Sequence, residues 1–182
     1  MGYEEKHPIR GVLAGVLGGL AAAWVMNEFM AGPGKKLQEA VQTNDETQHA
    51  DAKQAEATQD DSQPKEDATM KTADAIVEAV TGEHLTMEQK EKGGPIVHYA
   101  FGAIMGGIYG GLAEYSPAVR SGFGTTFGSA LFTGADLLAV PALKLGGAPT
   151  DLSASALATP FAAHVVYGAT TELVRRIVRA IL

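Results

Sequence analysis

Three ionisable side chains, His98, Asp136 and His164, each stand nearly alone in a long apolar stretch of this chain. Imidazole titrates near neutrality, and a carboxylate beside it can hold or relay a proton. A charge kept in an apolar setting is costly, so each such group needs a partner or a task. The three are expected to meet in one intramembrane polar cluster, either as part of a proton or ion path or as groups that satisfy one another. A second set, Glu114, Arg120, Glu172, Arg175 and Arg176, lies at the ends of the same stretches, where acids and guanidiniums are expected to pair. His164, Gly168 and Glu172 are spaced by four, which puts all three on one face of a helix.

Other chemistry is thin. The chain has no cysteine, which excludes disulfides, thiolate metal sites and cysteine nucleophiles. It carries no GxSxG, HExxH or Walker A sequence, and its glycines fall inside apolar runs rather than in phosphate-cradling loops. Two histidines and an aspartate are a metal-ligand type of set, but they come from three separate stretches at no motif spacing. No metal and no cofactor are assigned. There is no basic patch of the kind that binds nucleic acid. The expectation is a non-enzymatic protein.

The stretches that position these groups define the fold class. Gly11 to Met26 contains no charge, and with its flanks a helix over 10–31 is long enough to span a hydrocarbon core of about 30 Å. Three further segments of about that length follow, at 95–115, 120–144 and 152–174. None has the polar face of a surface helix, which argues for lipid. The fold class is therefore all-α, a four-helix transmembrane bundle. A cleaved leader is the weaker reading of the first segment, because its apolar run continues past Ala21-Ala22-Ala23 through Trp24, Val25 and Met26.

Between the first two spans lies an acidic extramembrane insert, 32–94. From Leu37 to Lys92 there are 14 acids and 5 lysines, a net of −9, while the remaining residues carry +2 toward the whole-chain −7, so the acidity belongs to this segment. Gly32-Pro33-Gly34 is expected to stop the first helix. Residues 37–67 bury too little apolar surface to offset ordering, so this part is expected to be mobile or marginally helical. Met70, Ala73, Ile76, Val77 and Val80 recur at helical spacing and predict a short amphipathic helix near 68–81 with Gly82 as its stop. Thr86 and Gln89 predict a capping box opening another near 87–92. These pieces lie at a membrane surface, against the bundle, or in solvent; periodicity alone leaves the three open.

Lys6 and Arg10 in the N-terminal region 1–9 and its edge, Arg120 between spans two and three, and the arginines of the C-terminal region 175–182 place both termini in the cytoplasm. Gly11, Gly15 and Gly19 recur every four residues, as do Gly102, Gly106 and Gly110, and Gly124 with Gly128. Such stripes let helix backbones approach closely, either within the bundle or between copies. Pro141 and Pro160 are expected to bend spans three and four.

His98, a Gly-rich span, Glu114-Tyr115-Ser116-Pro117, a span with Pro141 near its end, Gly146 to Pro149, His164 and Glu172-x-x-Arg175-Arg176 follow one another in an order that resembles a bacterial family of unknown function, the YagU-like inner-membrane proteins. The resemblance covers 95–180 and, more loosely, the first span; the insert at 37–92 lies outside it, and Asp136 falls near the family's histidine. It implies an integral inner-membrane protein and supplies no activity, substrate or cofactor. The leading expectation is ion or proton handling, or a role in envelope stress, through the polar intramembrane residues. The alternative is an accessory subunit of a larger membrane complex, or a homo-oligomer, docking through glycine faces. Its expected surroundings are the lipid bilayer, with no nucleic-acid partner.

Overall fold

The computed structural model describes residues 6–48, 66–147, 150 and 152–182, and among these every regular element is a helix. In chain order they are α1 (Pro8–Phe29), a π-helical turn (Met30–Gly34), α2 (Lys35–Gln48), α3 (Ala68–Thr81), α4 (Met87–Tyr115) and a 3-10 turn (Pro117–Gly124). The chain then continues through α5 (Thr125–Phe132), a second π-helical turn (Thr133–Ala139), α6 (Val140–Ala142) and α7 (Ala154–Ile181). Of the linker 37–67, expected to be mobile or marginally helical, residues 37–48 lie in α2 and 49–65 fall outside the described residues.

Three helical runs are long and apolar enough to cross a membrane: Pro8–Val41, Met87–Tyr115 and Pro117–Ala142. The expected fourth, α7, is not among them. It carries His164, Glu172, Arg175, Arg176 and Arg179 within 28 residues, and it buries Thr159, His164, Tyr167, Thr171, Glu172 and Arg175 along one stripe. Its polar side chains are directed at the other helices, so its average composition is poorer in apolar residues than its outer surface.

The core is built from small residues. α1 buries Gly11, Ala14, Gly15, Gly18, Gly19, Ala22 and Ala23, a stripe recurring every three or four positions. Its large side chains, Ile9, Leu13, Leu17 and Trp24, are exposed. The same inversion holds on α4, where Gly102, Gly106 and Gly110 are buried while Ile104, Ile108 and Leu112 face outward. In water this arrangement would waste the main driving force of folding. In lipid, where tails are as apolar as leucine, packing rather than burial brings helices together.

α1 and α4 are antiparallel and interlock. A Cβ on Gly15 would strike the Gly106 carbonyl, one on Gly19 the Gly102 carbonyl, and one on Gly110 the Gly11 carbonyl. α7 lies on another side of α1, where a Cβ on Gly18 would come within 2.7 Å of the Thr171 carbonyl. α5 packs on α7 through Gly124, Gly128 and Gly168, each against the opposing backbone. Phe127 of α5 closes the remaining side, its ring centroid 4.6 Å from that of Tyr109 on α4. The first residue of α1 and the last of α7 therefore lie at one end, and α2 and α3 at the other.

Several expected boundaries move. Gly32-Pro33-Gly34 does not stop the first helix; the chain winds through it as a π turn into α2. Proline lacks an N–H and crowds the carbonyl four residues back, and a wider turn relieves both. The backbone is tight here, since a Cβ on Gly34 would lie 2.9 Å from the Phe29 carbonyl. The expected separation of a helix at 87–92 from a span beginning at 95 also disappears: α4 is one helix of 29 residues with Pro95 inside it. Span three, expected as one helix over 120–144, begins with left-handed backbone at Gly122, Phe123 and Gly124 and is π-wound from Thr133 to Ala139, just ahead of Pro141. Residues 175–182, expected as a basic tail, instead continue α7 to Ile181.

α3 is capped by Asp67, which accepts from the Thr69 and Met70 backbone N–H groups, and it ends on left-handed Gly82. The Thr86–Gln89 capping box opens α4. α3 lies along the first turns of α4, where Gly93 meets Ala73 and Gly94 meets Met70. Asp74 secures the connection, accepting from the Leu85 N–H at 2.6 Å and lying 3.0 Å from Lys90 Nζ. The hydrogen bond from Leu85, then that from Lys90, holds the Asp74 carboxyl below its ordinary value of 3.8. A depressed carboxyl stabilises the folded state above the unfolded pKa and loses that contribution as pH falls through the folded one. The α3–α4 junction is therefore expected to be intact at pH 4 and to loosen only below 3.8, read as the Leu85 amide resonance in a pH titration; a midpoint at or above 3.8 contradicts this assignment.

Gly106→Leu is expected to cost at least the ~1–3 kcal/mol typical of overpacking, because nothing but backbone faces that Cβ. Gly134→Ala, with no atom within 4 Å of the added Cβ, is expected to be far milder. Thermal unfolding in detergent checks the pair.

Candidate functional site

The structure divides the predicted polar residues into three places. At the end that holds both termini, Glu172 on α7 is fully buried, and each of its oxygens is taken. Arg175 binds it with both arms, Nε to Oε2 at 2.7 Å and Nη2 to Oε1 at 3.1 Å. Arg176 Nε donates to Oε1 at 2.6 Å, and the Tyr109 hydroxyl of α4 donates to Oε2 at 2.9 Å. Glu114, at the last turn of α4, receives two bonds from Arg179, at 2.9 and 3.1 Å, and one from the His7 backbone N–H at 3.3 Å. Arg175 Nη1 lies 3.8 Å from Glu114 Oε1, so one buried guanidinium spans the two carboxylates.

This network joins α1, α4 and α7, and it leaves Glu172 no spare lone pair for chemistry. Its work is to clamp helices whose glycine faces provide little side-chain contact. Arg120, expected to share in it, does not: among the described residues no ion pair reaches it, and it sits on the turn after α4. Arg175 and Arg176, expected to pair with the acids, both reach Glu172, with Arg175 buried inside and Arg176 half exposed. Tyr109 as a partner of Glu172 escaped the sequence reading, and Arg179 entered it only through the charge of the C-terminal region, not as a partner of Glu114. Arg179 carries a usable signal, since Glu172, Arg175 and Arg179 are spaced three and then four apart on one helix face. Tyr109 carries none beyond being a tyrosine in a glycine-rich run.

The expected cluster of His98, Asp136 and His164 is only partly assembled. His164 and Asp136 meet, with Nδ1 to Oδ2 at 3.7 Å. The same Nδ1 lies 2.9 Å from the Pro160 carbonyl oxygen, which can only accept, so Nδ1 carries the hydrogen. The Phe132 ring covers the imidazole at 5.5 Å between centroids. Asp136 lies within the second π turn, and its side chain keeps 36% of its surface open, against 10% for His164. π turns interrupting α-helices recur at functional positions.

His98 is elsewhere. Its Nε2 lies 3.3 Å from the Ala23 carbonyl of α1, and its ring meets Tyr99 edge-on. The reason is packing order: at this end α4 lies against α1 and α3, while the third span lies on α7. His98 borders a cleft of about 250 Å³ with Asn27, Asp67, Thr69, Met70, Glu91 and Pro95. Among the described residues no group of three or more His, Cys, Asp or Glu side chains is placed to hold a metal ion.

All-helical architecture, three spans suited to a membrane and a core of small residues define the class: a polytopic helical bundle with polar groups turned inward. Residues 58–173 match the family described as Protein of unknown function (DUF1440), and since this is more than half of the chain, the protein belongs to that family. The match agrees with the family of unknown function expected from the motifs, without confirming the YagU-like name, and its bounds differ from those of the resemblance. It begins inside the insert and takes in α3, and it leaves out α1 and Arg175-Arg176. No curated protein and no solved structure matches the chain significantly.

Removing the Glu172 carboxylate takes both hydrogen-bonded contacts from a buried Arg175 and leaves it only Glu114, 3.8 Å away. Glu172→Gln is expected to destabilise the protein by ~3–5 kcal/mol, the cost of breaking a buried ion pair. Tyr109→Phe, which deletes one of four bonds to that carboxylate, is expected to cost ~1–2 kcal/mol. Thermal melts of the two variants in one detergent test the ranking.

Proposed function

We propose that the chain is a four-span, non-enzymatic integral protein of a bacterial inner membrane, with both termini cytoplasmic, and that the Asp136–His164 pair binds and releases a proton within the bundle. α7 serves as the fourth span, its polar stripe turned inward. The single observation that carries the proton reading is the facing of His164 and Asp136 at 3.7 Å in a π-wound stretch of an apolar span.

The chemistry follows from the two nitrogens of the ring. Because the Pro160 carbonyl holds the hydrogen on Nδ1, exchange takes place at Nε2. Protonation there makes an imidazolium whose Nδ1 edge faces the Asp136 carboxylate, and that carboxylate stabilises the charge. Glu114 and Glu172 are not relay groups in this reading, since their oxygens are engaged by arginines. Docking through glycine faces is the less favoured role, because the stripes at 11–19, 102–110 and 124–128 are filled by the chain's own backbone.

Proteoliposomes with an imposed pH gradient and a trapped pH dye provide the test. The wild-type protein is expected to dissipate the gradient faster than empty vesicles, and Asp136→Asn or His164→Gln to remove that excess without lowering the melting temperature by more than a few degrees. Equal rates for wild type and both variants would sink the proton reading.

A further inference from the structure

We propose that the end of the bundle bearing both termini binds the headgroups of anionic phospholipids through Lys6, Arg10, Arg120 and Arg176. The inference rests on the membrane reading above and adds a ligand class to it.

The acids at this end are already neutralised from inside. Glu114 and Glu172 are held by Arg175, Arg176 and Arg179, so three guanidiniums face two carboxylates. Lys6, Arg10 and Arg120 add positive charge, and among the described residues no ion pair reaches them. They come from separate elements: the start of α1, the turn after α4 and, with Arg176, the last turns of α7. The charge thus surrounds the bundle end, as a layer of headgroups would, and is not gathered on one flank. Glu4 and Glu5 precede Lys6 in sequence and lie outside the described residues.

The neighbours of these cations are those of a membrane interface. Lys6 Nζ lies 5.4 Å from the centre of the Tyr115 ring, and the Arg176 guanidinium lies 4.6 Å from that of Phe123. Both rings are exposed, Tyr115 by 58% and Phe123 by 41%. Phe123 reaches its position with a left-handed backbone, φ 56°, which is strained for a bulky residue. Exposed Ile9, Leu112, Ile177 and Ile181 flank the same level. A cation beside an aromatic ring, with aliphatic side chains adjoining, matches a phosphate group above acyl chains. An acidic soluble partner would not explain the aliphatic surround.

The test uses the full chain in nanodiscs of phosphatidylcholine and phosphatidylglycerol in equal amounts, with retained lipid read by native mass spectrometry. Wild type is expected to retain phosphatidylglycerol in excess. Each basic residue near an anionic surface contributes about fivefold in affinity. The Lys6→Gln/Arg10→Gln/Arg120→Gln variant, which leaves the Glu172 network intact, is therefore expected to lose that excess. Lys35→Gln/Lys36→Gln, at the start of α2 on the opposite end, is expected to keep it. Equal retention by wild type and the triple variant, or loss in the Lys35/Lys36 control as well, overturns the proposal while leaving the membrane reading in place. Protein that stays soluble and takes up no lipid overturns both.

Discussion

Backbone meets backbone at the centre of this protein, and nearly everything else follows from that approach. α1 lies against α4 and α7 with glycine at the crossing points, so that an added methyl group on Gly15, Gly19, Gly106 or Gly110 would enter an opposing main chain. Such contact is built from many weak dispersion terms, and it requires two smooth surfaces in register. It also sends the large aliphatic side chains outward. The apolar exterior and the small-residue interior are one feature seen from two sides.

Smooth surfaces slide, however, and a bundle held by glycine alone has little to set its register. Polar side chains supply this. Tyr109 reaches Glu172 across the interior, and the Tyr167 hydroxyl donates to the Gly102 carbonyl at 2.6 Å, the carbonyl that a Cβ on Gly19 would strike. Arg175 and Arg179 then bind the end of α4 to the end of α7. Each of these directional bonds is lost if a helix slips by one residue. The network also accounts for the polar composition of α7, whose charged stripe is an internal surface of the bundle.

The opposite half is built differently. The third span is π-wound beside Pro141, and Asp136 within that stretch is the most open of the paired intramembrane acids. α3, which opens the family match together with its approach, is fastened to the first turns of α4 by small-residue packing and by Asp74. One half of the molecule is thus locked by saturated carboxylates, and the other holds the acid–imidazole pair in a more open setting. α1 lies outside the family match and yet fills the groove between α4 and α7. The matched segment therefore depends on a helix that it does not contain.

Much of this was legible in the sequence, because it is local. A fourfold glycine spacing marks a face whatever lies opposite, and α3 with its Gly82 stop and following Thr86–Gln89 box depends on atoms a few residues apart. The stop expected at Gly32-Pro33-Gly34 and the separation expected between 92 and 95 do not occur, because such signals describe an isolated helix, whereas a π turn, or α3 packed alongside, lets the chain continue. Partnership was not legible. Asp136 and His164 are 28 positions apart, Tyr109 and Glu172 63, and which acid meets which base depends on the order in which helices lie side by side. His98 is the clearest case: its residue type and depth suited the cluster, and only the packing of α4 on α1 and α3 took it away. The sequence by itself determined the all-helical chain, its close-packing faces and the residues that needed partners; the tertiary structure alone decided the partners, because charge pairing acts over a few ångströms and helix order is set by long-range packing.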